Sequence, residues 1–247
     1  MLKKKRIDTD YRDKTILVIS DMHIPYHHQD SFKFLANLKK SYKPDLIINI
    51  GDLYDCQAFS FHEHDPDMMS PGDELKAARS YGKELAKIFP EMLITVGNHD
   101  ILPARKIKAM GLPQEVMKKY EDIYDTPEKW EFVSDVTIGK KGKSKSLPDL
   151  HFVHGLSKDN LKLAAQRGQR IINGHFHEKA GVEYLSNPDS LIWAMTVGCL
   201  IDKNSPAFDY NKVNKNRPIL GSGVIVNGIG CFEPMILNSD GRWIGDE

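Results

Sequence analysis

Short apolar runs alternate with longer amphipathic stretches through the first half of the chain. Thr15 to Ser20 (TILVIS), Asp45 to Ile50 (DLIINI) and Met92 to Val96 (MLITV) are apolar and rich in β-branched residues, the pattern of strands buried on both faces. Between them, Ser31 to Lys40 places Phe32, Leu35 and Leu38 at near-helical spacing behind a serine cap, and Asp73 to Phe89 reads as a helix closed by Pro90. Strand, helix, strand, helix, strand predicts parallel pairing and an α/β core. Ile101 to Trp130 reads as helix broken by Pro103, Pro113 and Pro127, and Trp130 to Ile138 as a hairpin. Gly139 to Ser146 (GKKGKSKS) reads as a solvated basic turn. Short strands are expected again at Leu150 to Val153, Arg170 to Asn173, Leu191 to Val197, Gly223 to Val226 and Cys231 to Leu237, a β-rich end to the chain. With neither repeat nor linker composition in 247 residues, a single domain over 1–247 is expected.

The residues just beyond these strands carry the chemistry. Asp21-Met22-His23 follows the first, Gly51-Asp52-Leu53-Tyr54-Asp55 the second, and Gly97-Asn98-His99-Asp100 the third. His154-Gly155 follows the strand ending at Val153, and Gly174-His175-Phe176-His177 the one ending at Asn173. Ligands of open α/β sheets bind just past the carboxyl ends of strands, so the five clusters should converge. In extended backbone residues two apart face the same way, which would bring Asp21 with His23, and His175 with His177, to one place. Glycines at 51, 97, 155 and 174 would let the chain turn beside them.

Asp, Asn and His supply oxygen and imidazole nitrogen, donors suited to Mn, Zn, Fe and Ni. A lone Asp-x-His or Gly-Asp means little; five such clusters at successive strand ends are another matter. Asp21, His23, Asp52, Asn98, His154, His175 and His177 exceed what one ion needs. With one carboxylate bridging, they give about four contacts to each of two ions, a pair able to stabilise both oxygens of an in-line displacement at phosphorus.

Composition narrows the partners. Lys plus Arg equals Asp plus Glu at 34 each, so there is no basic surplus of the kind that marks proteins living on nucleic acid. The three cysteines have no CxxC spacing and are odd in number, which argues against a disulfide framework and for a reducing, cytoplasmic setting. No apolar run approaches the ~20 residues needed to span a bilayer, so no membrane partner is expected.

The ordered set D-x-H, G-D-x-x-D, G-N-H-D, H-G and G-H-x-H, from Asp21 to His177, resembles the calcineurin-like metallophosphoesterase superfamily. Residues 198–227 (GCLIDKNSPAFDYNKVNKNRPILGSGVIVN) resemble compact phosphoesterases often encoded by bacteriophages. The resemblance implies a four-layer α-β-β-α sandwich with two mixed sheets. It implies one ion held by Asp21, His23, Asp52 and His177, another by Asp52, Asn98, His154 and His175, and Asp52 as the bridge. Manganese is the expected metal, with iron, zinc or nickel open to the same donors. His99 would face the substrate phosphate, with Asp55 orienting it. Protein Ser/Thr phosphatases of the superfamily carry G-D-x-x-D-R-G and G-N-H-E; here Cys56-Gln57 follows Asp55 and Asp100 follows His99, so protein dephosphorylation is not expected.

The implied activity is hydrolysis of phosphomono- or phosphodiesters, nucleotides foremost, by a hydroxide bridging two divalent ions, with His99 protonating the leaving oxygen. A DNA or RNA nuclease is the first alternative, disfavoured by neutral charge and by the lack of a segment resembling the DNA-capping domain of repair nucleases. A catalytically silent scaffold is the second, disfavoured because all seven ligands and His99 are present. Arg105, His27 and His62 are candidate substrate contacts, with His28 and His64 beside them in the same loops. Tyr26, Tyr54 and Phe59 could stack on a base, although core packing is the commoner fate of aromatics.

Overall fold

In strand β2 (Thr15–Ile19) of the computed structural model, successive side chains part: Ile16 and Val18 enter one apolar core, Leu17 and Ile19 another. That two-residue period, with both faces apolar, is what a strand sandwiched between two layers requires. The structure describes residues 2–61, 67–140, 147–186, 188, 191–205, 207–208 and 217–245; the basic stretch 141–146 and the histidines at 62 and 64 lie outside them.

Two six-stranded sheets face each other. The first runs β12 (Ile229–Pro234), β11 (Gly221–Val226), β2, β3 (Leu46–Asn49), β4 (Met92–Thr95), β5 (Trp130–Val133), with β2 through β5 parallel. The second runs β1 (Lys5–Ile7), β6 (Val136–Ile138), β7 (Leu150–Val153), β8 (Arg170–Asn173), β10 (Leu191–Thr196), β9 (Gly181–Ser186). Both are mixed. Between them Ile16, Val18 and Ile48 pack with Phe152, Ile172, Trp193 and Met195.

The outer face of the first sheet is covered by α1 (Ser31–Tyr42) and α2 (Pro71–Ile88), which contribute Phe34, Leu35, Ala78 and Leu85 to the core around Leu17 and Ile94. On the far side α5 (Asn160–Arg167) lays Ala164 against Ile171, Ile192 and Ala194. The result is the expected α-β-β-α sandwich. Helix α2 starts two residues before the sequence reading, because Ser70 caps it by accepting from the Asp73 N–H and Pro71 opens its first turn. The proline-broken middle resolves into α3 (Leu102–Ala109), a single 3₁₀ turn at Gln114–Val116 and α4 (Tyr120–Tyr124). Pro103 is tolerated because it sits in the first turn of α3.

The hairpin expected over Trp130 to Ile138 does not form. β5 pairs in parallel with β4, while β6 pairs with β1 and β7 in the other sheet, so Ser134 and Asp135 carry the chain across the sandwich. Two short strands with a turn between them read alike whether they fold back on each other or enter opposite sheets.

Residues 241–243 are fastened to the loop beyond β2. The Asp30 carboxylate accepts from Arg242 Nε at 2.7 Å and Nη2 at 2.6 Å and from the Trp243 N–H at 3.1 Å. His28 accepts the Asp30 N–H at Nδ1 and donates Nε2–H to the Gly241 carbonyl. The Arg242 guanidinium holds the Asp30 pKa down at about 2 despite burial, so this fastening is present above the ordinary aspartate range and is lost only in strong acid. Arg242 is half exposed, which places the bonds at the low end of charge-assisted values, about 1.5 kcal/mol. Asp30→Asn should therefore lower Tm at pH 7 by about 3–6 °C, read by calorimetry, with the deficit shrinking towards pH 2. An unchanged Tm would show that the clamp adds nothing to the fold.

Candidate metal centre

The five clusters meet at one end of the sandwich, over the seam between the sheets. Asp21, His23, Asp52, Asn98 and His99 come from loops of the first sheet; His154, His175 and His177 come from the second. Backbone bonds lock the first two loops together: Asp21 N–H donates to the Gly51 carbonyl at 3.1 Å and His23 N–H to the Asp52 carbonyl at 2.9 Å.

The side chains do not converge by the alternation of extended chain. Asp21, His23, Asp52 and His175 have φ of 48°, 52°, 48° and 74°, left-handed values that bulky residues avoid. The loops turn at the donor residues themselves and aim each inward. Of the glycines, Gly97 matters through space rather than φ, since a Cβ there would collide with the Asp52 carboxylate. Gly51 needs both, its φ being 101° and its Cα facing the His154 ring.

Asp21 and Asp52 are both buried, and the orphaned His23 Nε2 stands 3.9 Å from an Asp21 oxygen and 3.8 Å from an Asp52 oxygen, bonded to neither. His23 Nδ1 lies 2.6 Å from Asp55 Oδ1 and donates to it, so Nε2 is the free end. His154 is arranged alike: Nδ1–H donates to the Ile50 carbonyl at 2.9 Å, and Nε2 faces Asp52 Oδ2 at 3.1 Å and Asn98 Oδ1 at 3.0 Å. Imidazoles that spend one nitrogen on a carboxylate or carbonyl and aim the other at oxygens are how metal-binding histidines are held. Ligand bonds of about 2.0–2.2 Å space donor atoms roughly 3–4 Å apart, the separations found here. Asp21, His23 and His177 bring one donor atom each within 4.8 Å of one another, as do Asp52, His154 and His175. His177 Nε2 lies 3.0 Å from Asp21 Oδ1. The residues present fit two cations.

Charge supports the same arrangement. Burial alone would raise Asp21 and Asp52, but the positive charge of His154 with the bonds to neighbouring histidines carries both well below the ordinary carboxylate range. Burial opposes charge on His23 and His154, yet the surrounding carboxylates win: His23 is raised well above its usual value and His154 reaches about 9.

His99 occupies the open side of the cluster, edge-on to His23 with ring centroids 4.5 Å apart. Its N–H donates to Asp52 Oδ1 at 2.8 Å and its Nδ1–H to the Asp55 backbone carbonyl at 2.8 Å. The Asp55 carboxylate is 3.2 Å from His99 Nδ1 but 2.6 Å from His23. Asp55 thus serves two histidines, with its carboxylate nearer the one beside the buried aspartates.

Asp100 enters the sequence only as the residue that departs from G-N-H-E, with no structural role marked there. It is wholly buried and accepts from the Gly97 N–H at 2.8 Å and the Tyr54 N–H at 3.0 Å, tying the second motif to the third. Burial and the charge of Asp52 push it up to about 6. Ser20, whose hydroxyl bonds the Asp21 carboxylate, and Phe208, packed edge-on against His23, were silent in the sequence. Their roles come from tertiary contact alone, whereas the fourth place of G-N-H-D could have signalled Asp100.

The substrate-side candidates scatter. His27 is enclosed by Phe32 and Tyr81, each 4.6 Å away, and burial lowers it to about 4, so it is neutral near pH 7. Arg105, exposed on α3, lies over the Phe61 ring at 5.4 Å, with Lys106 over the same ring at 4.3 Å. His62 is outside the described residues. Tyr54 is buried and stacked on Tyr124, and His28 is spent on the Gly241 contact.

The profile of the family described as calcineurin-like phosphoesterase matches residues 14–217. No curated protein is significantly similar to the chain. Among solved structures, YfcE, a phosphoesterase from E. coli, is 11% identical with a TM-score of 0.42, over 94% of this chain and 97% of its own. Vps29 from Chaetomium thermophilum is 15% identical with a TM-score of 0.43, over 94% and 92%. The nuclease MPE of Pseudomonas putida is 13% identical with a TM-score of 0.35, over 90% and 92%.

The surrounding carboxylates raise His154 to about 9, so a cation taken up by its Nε2 would have to displace a proton. Apparent Mn²⁺ affinity should rise with pH by about tenfold per unit for each proton displaced, levelling off above about 9 for this group. Calorimetric titrations from pH 6 to 9, in buffers of differing ionisation enthalpy, should show proton release on the acid side. Affinity flat across that range would remove His154 from the metal site.

Proposed function

The chain belongs to the calcineurin-like phosphoesterase family, and from that premise we propose a hydrolase of phosphomono- or phosphodiesters, nucleotides foremost, that works with two divalent cations. Metal-dependent phosphoester hydrolysis is the family's chemistry; the ion count, the ligands and the substrate are our reading. One observation carries it: His23 and His154 each spend Nδ1 on a fixed acceptor and turn Nε2 towards the same oxygen, Oδ2, of the buried Asp52. In this reading Asp21, His23, Asp52 and His177 hold one cation, and Asp52, Asn98, His154 and His175 the other.

Two bound cations would supply positive charge at the phosphoryl group and lower the pKa of a coordinated water. The protein's own residues do the rest. Asp52 lies between the two histidine sets, so its carboxylate offsets repulsion between two positive centres. The His99 N–H bond fixes one Asp52 oxygen and leaves the other facing His154. His99 keeps Nδ1–H on the Asp55 carbonyl, so a second proton goes on Nε2, the end not held by the loop. Burial and the neighbouring His23 oppose that proton, but the carboxylates of Asp55 and Asp52 prevail and raise the His99 pKa. A protonated His99 can donate to a phosphoryl oxygen or to the departing alkoxide.

The test is phosphate or nucleoside release with Mn²⁺ from nucleoside monophosphates, cyclic nucleotides, p-nitrophenyl phosphate and short oligonucleotides. Activity on small esters, two ions per chain by elemental analysis and only mild loss from 50 to 200 mM salt are expected. Turnover of polymers alone, collapsing over that salt range as counterion release demands, would establish a nuclease instead. Bound metal with no turnover of any member would point to a scaffold.

His99→Ala should retain both ions. It should lose about 10²–10⁴-fold on alkyl and nucleoside esters, whose leaving groups need a proton, and less on p-nitrophenyl phosphate. Asp55→Asn should behave differently, because its carboxylate grips His23: metal affinity should fall by about 10–100-fold, as for other residues that orient a metal-binding histidine. Equal losses on aryl and alkyl esters would move His99 from proton donor to stabiliser of phosphoryl oxygens. Loss of metal from His99→Ala would make it a ligand.

A further inference from the structure

Behind the Tyr54-Asp55-Cys56 segment, on the face turned away from the metal cluster, lies a cavity of about 220 Å³. Asp55 points to His23 and His99, whereas its neighbours Tyr54 and Cys56 line the cavity, as do Phe59, Ala78, Ile107 and Tyr124. Ile24 is another wall residue, next in chain to His23. The two sites thus share a wall one residue thick at both loops.

We propose that this cavity binds a compact, uncharged aromatic molecule of about two fused rings. Its size fits: an apolar cavity of about 150 Å³ stays dry and takes benzene, and this one is larger by roughly the space of a second ring. Its walls fit, since Phe59 and the stacked Tyr54–Tyr124 pair stand among Leu75, Ala78 and Ile107, a mainly apolar lining that favours a flat apolar guest. Polar capacity is small but present. Glu74, also in the wall, gives both carboxylate oxygens to the Gln57 and Ala58 N–H groups, and burial raises it to about 7. Lys118 joins it in a wall otherwise apolar or aromatic.

Occupation should reach the chemistry through the shared wall. A guest packed against Tyr54 and Cys56 restrains the segment whose Asp55 carbonyl holds His99. This second clause rests on the role given to His99 above; the binding clause does not.

Indole is the probe. Titrated into the full chain, it should bind saturably and shift the amide resonances of Tyr54, Cys56, Ala78 and Tyr124. Ala78→Phe, which fills the cavity from α2, should weaken binding at least tenfold. Ile107→Trp, at a less buried wall position, gives a second block if the first fails to fold. No saturable binding within indole's solubility, or equal binding by a folded blocked variant, overturns the site. Bound indole should also change kcat on a small phosphoester by about fivefold or more, within the usual span of coupling between sites, with the blocked variant unresponsive. Binding without any change in kcat overturns the coupling alone. A chain without phosphoesterase activity leaves the binding result to decide the site by itself.

Discussion

Two carboxylates that share the reach of one imidazole cannot both be buried without something positive between them. Asp21 and Asp52 stand in that relation to His23. Desolvating a carboxylate costs several kcal/mol even after relaxation, and a second beside it adds repulsion. The sandwich tolerates this because the compensation is built from fixed parts. The His175 N–H donates to Asp21, the His99 N–H donates to Asp52, and His154 and His177 press in from the opposite sheet. The left-handed backbone at Asp21, His23, Asp52 and His175 follows from the same demand. Strain of order 1–3 kcal/mol per residue persists where the surroundings over-determine it.

Rigid supports around the cluster also explain why buried residues with no direct chemistry are polar. Asp100 joins the loops of the second and third motifs by two N–H bonds. Asn49 accepts the Gly51 N–H at 3.0 Å and steadies the turn into Asp52. Asn173 donates to the Ser157 carbonyl and to Asn160 Oδ1, pinning the loop between β7 and α5. Each replaces a bond that a sharp turn takes away from the sheet.

Much of this was legible in the residues. The three strands of the first half announced themselves because burial on both faces leaves a continuous apolar run; Asp21, His23, Asp52 and Asn98 lie just past the ends of those runs, and His154, His175 and His177 just past two later strands. What was not legible is instructive. β9 is an edge strand with exposed Tyr184 and Leu185, so it carries no apolar alternation to detect. Whether β5 and β6 pair depends on which sheet receives each, a non-local matter. The inward aim of Asp21 with His23 was anticipated, but through extended backbone. Left-handed φ has no sequence mark when it falls on aspartate and histidine rather than glycine. The division of Asp55 between two histidines was invisible for the same reason, since it depends on ångström differences across two loops.

The donor cluster sits astride the seam, with its aspartates on one sheet and most of its histidines on the other. Its bite is therefore set by how far apart the sheets stand, and that spacing is the work of Ile48, Phe152, Trp193 and Met195. Packed interiors behave as stiff solids in which a lost methylene is felt, and the donor separations leave little slack. Trimming a side chain in the mid-sandwich layer would act like turning the screw of a calliper: the jaws stay intact while the gap between them changes. Were cations held here as proposed, their selectivity would to that extent be a property of the hydrophobic filling, and divergence there would retune the site without touching a single donor.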